Sequence, residues 1–256
     1  MKYTEKYTIN WHDTGCDRSA APSRILGYMQ ETASRHCRFL GHDLDVLRDE
    51  KALGFVVIRF SVEMLAPLYA YDEITVDTWV PESHGLFFNR CYEIRRGSET
   101  VARGLSVSSL LNLKTRDFMR VTDYDFGFEE EAMIELSKTL PTRLRFKKDQ
   151  SLSEVAERRI VCSDLDYNLH MNNTRYADML SDYLPSRTEK RITSLVLSYL
   201  HEARYGDTLR VFCGEEQDSE SGTAYCLRAL SEDGTPVTEA RITVEPITCE
   251  TKNNFM

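Results

Sequence analysis

One segment of the 256-residue chain gathers side chains able to do chemistry: Asp164-Leu165-Asp166-Tyr167-Asn168-Leu169-His170-Met171-Asn172-Asn173. In an extended stretch, residues two apart project to the same side, so Asp166, Asn168 and His170 would share a face just ahead of a helix start. Further on, Glu202 stands in Tyr199-Leu200-His201-Glu202-Ala203-Arg204, after an alternating strand and before a Gly206-Asp207 turn. Such a set suits hydrolysis of an activated acyl group. A carboxylate can act as general base toward water, and an imidazole can orient it or move a proton. Amide and imidazole donors, with the N–H groups of a helix start, can stabilise an oxyanion. The same residue types also make helix caps and turns, and a single His is often structural. The spacing alone leaves both readings open.

To position these residues, the chain needs a strand, a turn and a helix on one side and a second strand on the other. The pattern supplies them. A short strand is expected at 159–162, with an irregular or extended stretch after it. Asn172 or Asn173 can cap a helix carrying Tyr176, Met179, Leu180, Tyr183 and Leu184, stopped by Pro185. Strand-like runs follow at 192–201, 208–213, 224–230 and 236–244.

The first half repeats this outline. Tyr3, Glu5, Tyr7 and Ile9 alternate as a strand, and a turn-rich stretch follows. A helix then begins at Pro22, carries Ile25, Met29, Ala33, Cys37 and Leu40, and ends at Gly41. Strand-like runs follow at 53–65, 74–80, 87–95 and 101–113. The helix regions align with an offset of 151, Asp13 falling on Asp164 and Arg24 on Arg175. The later strands align with an offset of 135, Asp72 falling on Asp207 and Ile74 on Leu209. The smaller offset implies a shorter helix-to-strand connection in the second copy. The charged stretch 126–157 reads as a linker, with a short helix near 130–139. The expected organisation is α+β, with one unit at 1–125 and a second at 158–256.

The copies differ where it matters for chemistry. Opposite Asp166, Asn168 and His170 the first copy has Gly15, Asp17 and Ser19, and opposite Glu202 it has Pro67. A catalytic half and a binding or scaffolding half is the inference, and this asymmetry brings chemistry level with capping as a reading of the segment.

Composition narrows the classes. A formal charge of −9 argues against broad nucleic-acid binding. No apolar run approaches the roughly 18 to 20 residues of a membrane span, so no membrane partner is expected. Seven cysteines occur with no Cys-x-x-Cys pair and no Cys/His cluster at zinc spacing. Neither a metal nor a cofactor is expected, and reduced thiols fit a cytoplasm. Cys162 reads as a strand residue filling core.

The string from Asp164 to Tyr176, joined to the later Tyr199-Leu200-His201-Glu202 element, resembles the acyl-acyl carrier protein thioesterases of fatty acid synthesis. Trp11-His12-Asp13 and the helix after Pro22 resemble that family's N-terminal unit, so the likeness runs from Tyr3 to about Val244. It implies two tandem hotdog units packed as a pseudo-dimer, each a long helix wrapped by an antiparallel β-sheet. It implies hydrolysis of fatty acyl thioester from acyl carrier protein, with Asp166, Asn168, His170 and Glu202 as the catalytic group. Plant members usually have Cys after that Glu. Here the residue is Ala203, so water is the expected nucleophile, with Glu202 or Asp166 as base.

The resemblance also places an acyl slot in the N-terminal unit, with Ile25, Met29, Phe55, Val57 and Trp79 as candidate lining. Asn172 and Asn173 are candidates for substrate contact at the helix start. Basic clusters at Arg143, Arg145, Lys147 and Lys148, at Arg158 and Arg159, and at Arg187, Lys190 and Arg191 could dock the carrier. The rival readings are an acyl-CoA thioesterase, a hotdog dehydratase or hydratase, and a non-catalytic acyl-binding hotdog protein. Either a monomer or a homodimer fits the pattern. The first strand is expected almost at Met1, which points to a bacterial cytoplasmic enzyme.

Overall fold

Alternation of inward and outward side chains along Tyr3-Thr4-Glu5-Lys6-Tyr7-Thr8 makes the first strand, whereas central strands such as Glu73–Trp79 and Glu99–Asn112 are buried over runs of consecutive residues. The computed structural model describes residues 2–81, 83, 85–128, 140, 141, 143, 144, 146, 151–218 and 222–247. Strand β1 (Tyr3–Thr8) leads through a 3-10 turn (Trp11–Asp13) to helix α1 (Pro22–Phe39) and a short helix α2 (Leu44–Asp49). Then come β2 (Leu53–Met64), β3 (Glu73–Trp79), β4 (Phe88–Arg96), β5 (Glu99–Asn112) and the two-residue β6 (Phe118–Met119). The second half runs β7 (Ser153–Arg159), a 3-10 turn (Cys162–Asp164), α3 (Asn173–Ser181), β8 (Lys190–Tyr199), β9 (Thr208–Asp218), β10 (Gly222–Leu230) and β11 (Pro236–Pro246).

All the strands join one antiparallel sheet in the order β1-β3-β4-β5-β2-β8-β11-β10-β9-β7, with β6 on β5. Read inward from either end, the order is the same series, so the halves meet at an antiparallel seam. There Phe60 lies opposite Leu197 and Val62 opposite Leu195. These four side chains are almost wholly buried in a core cluster that also holds Met29 of α1 and Tyr176 and Leu180 of α3.

The repeat holds down to single hydrogen bonds. Ile9 N–H donates to Asp72 carbonyl as Ile160 N–H does to Asp207, and Ala20 N–H donates to Leu68 as Met171 does to Ala203. Both offsets read from the sequence are preserved in these pairs. The missing residues of the second copy are accounted for by its shorter helix, α3, and by the lack of a counterpart to α2 in the connection from helix to strand.

Local sequence explains the helices. Pro22 opens α1, where its missing N–H has no partner to lose, and Gly41 follows its end at φ +84°. Ala21 gives no side-chain cap; instead Asp178 of α3 accepts the Ser23 N–H at 3.0 Å, so one unit caps the helix of the other. Asn172 caps α3 by accepting the Thr174 N–H at 2.9 Å. Gly104 in β5 leaves room for Met29 of α1: a Cβ there would lie 2.6 Å from the Met29 sulfur, so that side chain would have to shift.

Two expectations change. The strand expected at 159–162 lies earlier, as β7, and so enters the stretch read as linker. Cys162 is exposed in the 3-10 turn and fills no core. Helix α2 and strand β6 carried no signal in the sequence reading. The helix expected near 130–139 lies outside the described residues, as do Arg145, Lys147 and Lys148. Among the described residues, no helix is long and apolar enough to cross a membrane, and no cluster of His, Cys, Asp and Glu could hold a metal ion.

One buried base makes stability depend on pH. His36 of α1 is 2% exposed, stacks on Tyr3 with centroids 5.2 Å apart, and meets an Arg90 guanidinium nitrogen through Nδ1 at 3.0 Å. Burial, and then repulsion from Arg90, push the imidazole down to about 4. The unfolded chain takes up this proton near pH 6.5, whereas the folded chain resists it until about pH 4. The contribution is therefore complete above pH 6.5 and is lost as pH falls through that window, by about 3 kcal/mol in all. Urea denaturation at pH 7 and pH 4.5 should show a larger loss for wild type than for His36→Gln, which keeps an acceptor and cannot charge. Equal losses would contradict this.

Candidate active site

The segment between β7 and α3 is a folded-back loop. Asp164 anchors it: the buried carboxylate accepts the Val161 N–H at 2.9 Å and Arg158 Nη2 at 2.7 Å. Leu165 bridges to Met171, Asp166 N–H donates to the His170 carbonyl at 2.9 Å, and Leu169 N–H donates to the Asp166 carbonyl at 3.0 Å. The Asp166 carboxylate accepts the Asn168 N–H at 2.8 Å. Leu169 sits at φ +63° and is 70% exposed. Of the two forms expected, irregular or extended, the segment takes the irregular one: a left-handed residue turns the chain, so the alternation that would put Asp166, Asn168 and His170 on one face does not set their directions.

The loop and the end of β8 meet through a bridge between His170 and Arg204 and through the Met171 N–H on the Ala203 carbonyl, at 2.8 Å. This places His170 Nε2 3.2 Å from Glu202 Oε2. Glu202 is half exposed, and Arg204 Nη2 lies 3.6 Å from the same oxygen. Of the four residues singled out, His170 and Glu202 touch each other, Asp166 holds the loop backbone, and Asn168 is exposed.

The N-terminal unit builds the same loop with other side chains. Gly15 N–H donates to the Ser19 carbonyl, Arg18 N–H donates to Gly15, and Arg18 sits at φ +64°. Ser19, in place of His170, gives its hydroxyl to Asp17 at 2.9 Å. Pro67, in place of Glu202, offers only a carbonyl, which accepts from Arg96 at 3.2 Å. Asp17 is tied to Arg187 of the other unit at 3.2 Å.

Two family models match the chain: the acyl-ACP thioesterase N-terminal domain over residues 1–126 and the acyl-ACP thioesterase C-terminal domain over residues 147–246. The chain belongs to the acyl-ACP thioesterase family. A palmitoyl-acyl carrier protein thioesterase of Arabidopsis thaliana chloroplasts is 26% identical over 237 residues, which is 88% of this chain and 55% of that protein. The chain spans about half the length of the curated relatives it matches. Two solved structures share the fold. A 12:0-ACP thioesterase from Umbellularia californica superposes with a TM-score of 0.81 at 23% identity, covering 96% of this chain and 94% of that one. An acyl-ACP thioesterase from Bacteroides thetaiotaomicron gives 0.80 at 20% identity, covering 95% and 98%. The architecture of this family member is therefore the α+β tandem hotdog.

The acyl-slot candidates divide. Ile25, Met29 and Val57 belong to the main core; Phe55 lies in a second cluster with Leu47, Phe88, Leu110 and Phe126. Trp79 is the exception. It pairs with Cys91, and Cys91 with Leu105, and the three pack with Leu140 on the face of the sheet away from α1. Asn172 spends its side-chain oxygen on capping α3.

Two tyrosines of the same motifs support the site. Tyr199, the last residue of β8, donates its hydroxyl to the Asn173 carbonyl at 3.0 Å and meets the buried Tyr176 edge-on, with centroids 5.7 Å apart. Burial pushes the Tyr199 phenol up, so it stays a protonated donor. The bond ties the strand before Glu202 to the helix after His170. Tyr199→Phe should lower stability by about 1 kcal/mol in urea denaturation, the usual worth of one buried hydrogen bond. No loss would show that the bond does not hold the two elements together.

Proposed function

We propose that the protein hydrolyses the thioester between a fatty acyl chain and the phosphopantetheine arm of an acyl carrier protein, ending chain elongation. The observation that carries this reading is the contact of His170 with Glu202 at 3.2 Å in one unit only, in a member of this family. Glu202 is the general base: it takes a proton as a water oxygen attacks the carbonyl carbon. The new C–O bond pushes the carbonyl electron pair onto oxygen, where Asn168 and the start of α3 are the donors at hand. Collapse restores the C=O and breaks the C–S bond. The thiolate recovers the proton through His170, leaving a free fatty acid and the carrier thiol.

Asp166 is given a different role. Its carboxylate is engaged by the Asn168 N–H, so it holds the loop rather than activating water. Ile25, Met29, Phe55 and Val57, on α1 and β2, are the slot residues that this reading retains, with Asn173 beside the scissile group. Ala203, buried next to Glu202, supplies no thiol. The free thiols of Cys16, Cys37, Cys91, Cys162, Cys213 and Cys226 suit a reducing cytoplasm. A monomer suffices for the chemistry, because one chain supplies both units.

Release of carrier thiol from a matched series of acyl-carrier and acyl-CoA substrates tests the proposal. Glu202→Gln should lower kcat by about a hundredfold or more, His170→Ala by a similar factor, and Asp166→Asn by less. Near-wild-type turnover in all three variants would refute the site. Equal use of acyl-CoA would refute the carrier preference.

A further inference from the structure

The catalytic loop is also touched by the other unit. Arg48 lies in α2, the helix that only the N-terminal unit possesses. Its guanidinium is pinned by Asp49, through Nε at 2.8 Å and Nη2 at 3.1 Å, and by Asp45 at 2.9 Å. So fixed, it sits 5.1 Å from the ring centroid of Tyr167. Tyr167 stands between Asp166 and Asn168, and it is 68% exposed. Among the described residues, Arg48 is the partner that its ring meets.

The loop of the other half also receives an arginine across the units, one position further along. Arg187, just after α3, crosses to Asp17 in the loop of the N-terminal unit and also donates to the Lys190 carbonyl at 2.8 Å. Each loop is therefore held by an arginine from the segment that follows the other unit's helix. The two contacts differ in kind. Asp17 and Arg187 form a part-buried ion pair, their side chains 4% and 15% exposed, whereas the contact between Arg48 and Tyr167 is an exposed cation–π pair.

We propose that Arg48 is a positioning residue for the C-terminal site: through Tyr167 it sets the backbone of residues 166–170, so the N-terminal unit acts directly on its neighbour's chemistry. The inference rests on the thioesterase reading for its kinetic consequence and on the loop contact alone for its structural one. The loop's own bonds, from the Asn168 and Leu169 N–H groups to Asp166, report on it without any substrate.

The experiment compares Arg48→Ala, Arg48→Lys, Tyr167→Leu, Tyr167→Phe and the Arg48→Ala/Tyr167→Leu double variant. It measures amide exchange at Asn168 and Leu169, kcat and KM on an acyl-carrier thioester, and thermal midpoint. Arg48→Ala and Tyr167→Leu should each speed exchange and lower kcat about two- to fivefold, the range an exposed cation–π contact carries. KM and the thermal midpoint should hold, and Lys and Phe should preserve function. The double variant should be no worse than either single. Unchanged kcat or unchanged exchange in Arg48→Ala would overturn the proposal, as would multiplicative losses or a loss explained by a lower thermal midpoint. If wild type releases thiol from no acyl thioester, the thioesterase reading fails, and the exchange rates still decide whether Arg48 holds the loop.

Discussion

The seam between β2 and β8 is the constraint on which the rest of the molecule depends. Each unit alone would leave a long strand edge unpaired and one flank of its core open to water. Joining them antiparallel satisfies both edges and closes Phe60, Val62, Leu195 and Leu197 into one core. Once that seam is made, the helices are held against each other, Asp178 of one reaches the start of the other, and each loop comes to lie beside the opposite unit. The site is a consequence of how the two copies are joined.

Duplication then frees one loop to change. Both loops keep the same backbone bonds and the same left-handed residue, Arg18 in one and Leu169 in the other. In the N-terminal unit that frame carries Ser19 and Asp17, locked by hydroxyl and guanidinium donors. In the C-terminal unit it carries His170 with an open imidazole edge toward Glu202.

Much of this was legible in the sequence because it rests on local pattern. Strand alternation, Pro22 and Gly41 around α1, and the cap at Asn172 all follow from single-residue chemistry, and the two offsets reappear as paired backbone hydrogen bonds. The failures also have physical causes. A turn through a left-handed Leu169 leaves no mark, since Leu carries none of the preference for that region shown by Gly or Asn. Helix α2 buries only Leu47, too little to print a period. Trp79 alternates out of phase with Ile74, Val76 and Thr78, so strand geometry puts it on the opposite face, with Cys91 and Leu105. The contacts of Tyr167 with Arg48 and of Asp17 with Arg187 join distant parts of the chain, and no local rule reveals them.

The central claim is that His170 and Glu202 act as one unit in a single half of the molecule. A double-mutant cycle on acyl-carrier hydrolysis tests it most directly, with kcat measured for His170→Ala, Glu202→Ala and the double variant. The account predicts that the double variant is no slower than the worse single, because removing either member already disables the pair. Losses that multiply, or a double variant that turns over like wild type, would contradict it.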